Sequence, residues 1–76
     1  MEKLHNLTKD AAEIIEAESF EVNHNFHKVE GYYILNNITI YFKDSNIDKF
    51  HSLTFSSEEK AIDGITGFIQ LYKNVE

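Results

Sequence analysis

The sequence predicts an α+β fold in which an N-terminal helix, a three-stranded antiparallel sheet and a C-terminal helix follow one another as α-β-β-β-α. Three observations carry this. Apolar residues recur at helical spacing near both ends of the chain, β-branched and aromatic residues alternate with polar ones between them, and clusters of Asn, Asp and Ser separate the alternating runs.

The first helix is expected over about 9–19. Thr8 is placed to cap it, and Asp10 falls in the first turn, where the helix dipole favours negative charge. At 100° per residue Leu7, Ala11, Ile14 and Ile15 share one side, while Asp10, Glu13 and Glu16 lie on the other. Next, Phe20-Glu21-Val22 alternates like a strand, but Asn23-His24-Asn25 interrupts it, so a short extra strand near 20–27 and an irregular approach are both open.

Strands are expected at about 28–35, 38–43 and 50–55. Asn36-Asn37 lies between two apolar runs, and asparagine tolerates the positive φ of a type I′ turn, so the first two strands are read as a hairpin turning there. In the second strand Ile38, Ile40 and Phe42 point one way and Thr39, Tyr41 and Lys43 the other. Asp44-Ser45-Asn46 marks a turn, and Leu53 and Phe55 are expected on the inner face of the last strand.

The C-terminal helix is expected over about 57–73. Ser56 and Glu59 match a capping box, with Ser57 as the alternative cap, and Ala61, Ile62, Ile65, Phe68, Ile69 and Tyr72 form a wide apolar stripe.

Composition narrows the function classes. A chain of 76 residues has room for one hydrophobic core, and the expectation is a single small globular domain over 1–76. Such domains often gain stability from disulfides, metals or a second subunit; cysteine is absent, which leaves a homodimer in view. The formal charge is −6 and all seven cations are lysine. Arginine is the usual bidentate partner of phosphate and guanine edges, so an acidic chain without arginine argues against direct nucleic-acid binding. No apolar run approaches the roughly 20 residues that cross a bilayer, so no membrane partner and a cytoplasmic location are expected.

No phosphate loop, nucleophile elbow or cysteine nucleophile is present. His51, Ser52 and Asp48 can be assembled into a triad on paper, but any chain of this composition offers such a set. His24-x-x-His27 with His51 is the one histidine cluster to weigh for metal, and residues three apart on a strand face opposite ways. The expectation is therefore no enzyme, no cofactor and no metal. What remains points to a protein-interaction module, such as a small acidic regulator or inhibitor that occupies a partner's surface, a profile shared by inhibitors that phages and other mobile elements encode. The competing class is a small enzyme or ligand-binding subunit whose site forms at a subunit interface.

Three surfaces are candidates for contact. The carboxylates Asp10, Glu13, Glu16 and Glu21 can present a negative face to a basic protein, or serve only as a solvated face. Gly64, beside Phe68 and Leu71 on the helical wheel, forms an apolar notch that suits either intramolecular packing or a second chain. Tyr41 projects from the sheet face opposite the core, where tyrosine supplies contact area or simply pairs across strands.

Overall fold

Thr8 and Glu16 decide where the first helix lies. The computed structural model describes residues 2–47 and 49–74, the side chains of 73 and 74 excepted. In it α1 spans Glu2–Ile14, seven residues upstream of the expected start. Thr8 is not a cap but a fully buried residue inside the helix, its Oγ1 donating to the Leu4 carbonyl at 2.7 Å. That back-bond satisfies the hydroxyl locally, so threonine can face the core alongside Leu4, Ala11 and Ala12. The helix stops early because Glu16 takes a left-handed conformation with φ 54°. Ala17 N–H donates to the Ala12 carbonyl and Glu16 N–H to that of Glu13, the paired bonds of a Schellman ending.

The strands begin at once. β1 spans Ser19–Val29, β2 Tyr32–Lys43 and β3 Phe50–Phe55, joined antiparallel in the order β1-β2-β3. The sheet thus has the expected three strands with shifted boundaries. The segment over 20–27 belongs to a full strand, and the hairpin turns at Glu30-Gly31, whose φ values of 50° and 86° are both positive as a type I′ turn requires. Asn36-Asn37 does not turn. It lies within β2, where the pairing steps from Asn25↔Asn37 to Phe26↔Leu35 and leaves Asn36 as the extra residue of a β-bulge. Asparagine suits both irregularities; the glycine six residues earlier offers the lower-strain turn.

The alternation in β2 holds. Ile38, Ile40 and Phe42 are fully buried and meet Ala11, Ile15, Ala61 and Ile65 in one cluster, with Leu53 and Phe55 of β3 packed against it. α2 spans Glu58–Asn74 and turns its expected stripe inward: Ala61 and Ile65 are fully buried, and Ile62, Phe68 and Tyr72 pack at the margin. Of the two capping serines, Ser57 is the one used. Its Oγ accepts from Lys60 N–H at 3.2 Å and its carbonyl from Ala61 N–H at 3.0 Å, the bonds of an N-cap.

Both helices lie on one face of the sheet and cover only part of its length. The extents are 49 × 21 × 17 Å and the radius of gyration is 13.4 Å, against about 11.4 Å for an average folded chain of this length. The excess comes from the far half of the β1–β2 hairpin, in which every residue from Asn25 to Ile34 is exposed.

Candidate interaction surfaces

The hairpin beyond the helices is a two-stranded arm with apolar groups on both faces. Directly paired residues share a face, so Phe26 with Leu35 and Lys28 with Tyr33 extend the helix-side face, while His27 with Ile34 and Val29 with Tyr32 extend the outer one. Tyr32 is 75% exposed, Tyr33 72% and Phe26 58%. Lys28 Nζ sits 5.8 Å from the centroid of the Tyr33 ring, within reach of its π face. At the base of the arm Asn25 Nδ2 donates to Asn37 Oδ1 at 2.7 Å and to Thr39 Oγ1 at 3.2 Å, which fixes the strands beside the bulge. The turn expected at Asn36-Asn37 places residues 28–35 in the body of the sheet and conceals the arm. Glu30-Gly31 between two β-rich runs was the signal that could have found it.

The structure divides the eight expected contact residues among three places. Glu21 and Tyr41 come together as a directly paired couple on the outer sheet face, where they line a shallow concavity with Asn23, Lys43 and Phe50. The Tyr41 and Phe50 rings lie 5.6 Å apart. Asp10, Glu13 and Glu16 are exposed on α1 or at its end, on the opposite side of the sheet from that couple. Gly64, Phe68 and Leu71 lie on α2. The ring of Phe55 occupies the notch at Gly64, so that an added Cβ would stand 2.8 Å from its Cζ. Phe68 faces inward, its ring 6.1 Å from that of Phe42 at an interplanar angle of 8° and 4.8 Å from that of Tyr72. Leu71 points outward and is 62% exposed. The glycine is therefore filled from within the chain, and only Leu71 of that trio offers a projecting apolar surface.

His24, His27 and His51 lie apart. His24 faces the helix side at a cleft between α1 and β1 lined by Glu2, His5, Asn6 and Val22, whereas His27 faces the outer side. His51 lies against Phe42 and Phe68, with centroids at 6.4 and 6.1 Å, and Ser52, next along the strand, faces the other way. Asp48 lies outside the described residues. Among the described residues no three His, Cys, Asp or Glu side chains converge as metal ligands, and no helix is long and apolar enough to cross a membrane.

Comparison with protein-family models, with curated proteins and with solved structures finds no match.

Proposed function

We propose that the chain is a non-enzymatic protein-interaction module that works by occupying the surface of a protein partner, with the β1–β2 arm as its principal contact. The observation that carries this is the run of exposed apolar side chains Phe26, Val29, Tyr32, Tyr33 and Ile34 on one projecting element. An isolated two-stranded ribbon has no core of its own, and contiguous exposed apolar surface of this kind marks interaction sites. Tyrosine and phenylalanine are the side chains that dominate such contacts, because they bring large area with few rotors.

The net charge of −6 and the lack of arginine favour protein over nucleic acid as partner. The carboxylates of Asp10, Glu13 and Glu16 add a negative flank on α1 that suits a basic partner, in keeping with a small regulator or inhibitor. The test is affinity capture from native extract with wild type, a Tyr32→Ser/Tyr33→Ser variant and a Glu13→Gln/Glu16→Gln/Glu21→Gln variant. The tyrosine pair should lose the captured protein and the glutamine triple should weaken capture. Undiminished capture by the tyrosine variant would reject the arm as the contact.

A further inference from the structure

β1 is an edge strand of eleven residues, without proline and without a bulge of its own, and among the described residues no strand pairs with its other side. Such an edge presents a row of unsatisfied backbone donors and acceptors that templates a further strand. We propose that this edge is filled by a second copy of the chain: β1 pairs antiparallel with β1 of the other copy about a two-fold axis through His24, and Phe26 of each enters the cleft between α1 and β1 of the other. The inference shares the arm with the interaction role above but names its own partner.

The register follows from symmetry. Paired residues share a face, so keeping the helices of both copies on one side of the joined sheet requires the axis to pass through a single residue position. An eleven-residue strand has one middle residue, and in Ser19–Val29 it is His24. Centring there pairs the whole strand and brings Val22 opposite Phe26 of the other copy on the helix side, with Glu21 opposite His27 on the outer side. Val22 already lines the cleft with His24, His5 and Asn6, and Phe26 is an exposed aromatic four residues along the same strand. Knob and cleft are thus placed so that a single two-fold operation seats both.

Charge and area agree with self-association. Within β1 the formally charged groups are Glu21 and Lys28, which balance, and the cleft carries one carboxylate, that of Glu2. An eleven-residue edge is about 37 Å long and a sheet layer about 10 Å deep, a footprint near 370 Å² per copy. Phe26 and the cleft it enters add roughly 200 Å². The two copies together bury about 1,100 Å², above the ~1,000 Å² that a specific interface should clear.

The test is sedimentation of the full chain from about 1 to 100 µM, a span that resolves dimerisation in the micromolar range. Wild type should dimerise, and Phe26→Lys, which changes an exposed side chain, should raise the dissociation constant at least tenfold with its circular dichroism unchanged. Because cysteine is absent, a single thiol reports the register. His24→Cys should form a disulfide dimer under mild oxidation, since Cα atoms facing across an antiparallel pair lie within bridging distance; Ser52→Cys should not. A wild-type monomer throughout, a dimer indifferent to Phe26→Lys, or cross-linking through Ser52→Cys but not His24→Cys would each overturn the proposal. A monomer whose tyrosine variants lose a captured protein would assign the arm to a foreign chain, overturning the dimer and leaving the interaction role intact.

Discussion

Gly64 and Gly67 lie one turn apart in α2 and have opposite reasons to be glycine. A Cβ at Gly67 meets nothing within 4 Å, whereas one at Gly64 overlaps the Phe55 ring. Gly67→Ala should therefore stabilise by about 0.5–1 kcal/mol through helix propensity. Gly64→Ala, which gains the same propensity, should still lose about 1–2 kcal/mol because the ring must move. Urea titration of both checks this, and Phe55→Leu in the Gly64→Ala background should recover part of the loss. Thr8 permits an equally sharp comparison. Thr8→Val keeps the shape and gives up one side-chain bond, so its cost should stay near 1 kcal/mol. Thr8→Asp, which an N-cap would accept, should cost at least about 3 kcal/mol by burying a carboxylate at a fully enclosed site. At this scale the sequence misleads where one residue type serves two geometries: threonine caps or back-bonds, asparagine turns or bulges, and Glu16 adopts a left-handed φ that nothing in its chemistry announces.

At the scale of elements, periodicity was the dependable guide. The stripe of α2 and the alternation of Ile38, Ile40 and Phe42 were legible because burial enforces them: a one-residue slip in β2 would turn all three to solvent. Ends were less legible, since helix caps and turns depend on one or two side chains. Ser57 and Ser56 make the point, because only the first has its Oγ on a helix N–H. Ser57→Ala should lower the thermal midpoint by an amount equivalent to about 1 kcal/mol, while Ser56→Ala should leave it nearly unchanged. The arm was hidden by the same weakness. A turn misplaced by six residues lays the strand over 28–35 beside 38–43 in the body of the sheet, and the projecting arm formed by β1 and β2 is lost from view.

For the whole molecule, a small core sets the tolerance. At roughly 0.05–0.15 kcal/mol per residue, a chain of 76 residues has about 4–11 kcal/mol in hand. Ile65 is fully buried where both helices meet the sheet, and Ile65→Ala should cost about 2–5 kcal/mol. Equilibrium denaturation should therefore find that variant short of a large part of its stability, while changes on the arm, at Tyr32 or Tyr33, should stay within about 0.5 kcal/mol. The contrast separates residues that hold the fold from those free to meet a partner.

β3 is half the length of β2, so the ladder is three strands wide over the body and two along the arm. Amide hydrogens should exchange with solvent on two timescales. Those of Ile38, Ile40 and Phe42 lie in the central strand beneath the helices and wait for global opening, whereas those of residues 26–35 escape by fraying of the hairpin tip. A chain that joins β1 would change one set only: every second amide of that strand, pointing away from β2, would become slow to exchange while the core amides kept their rates.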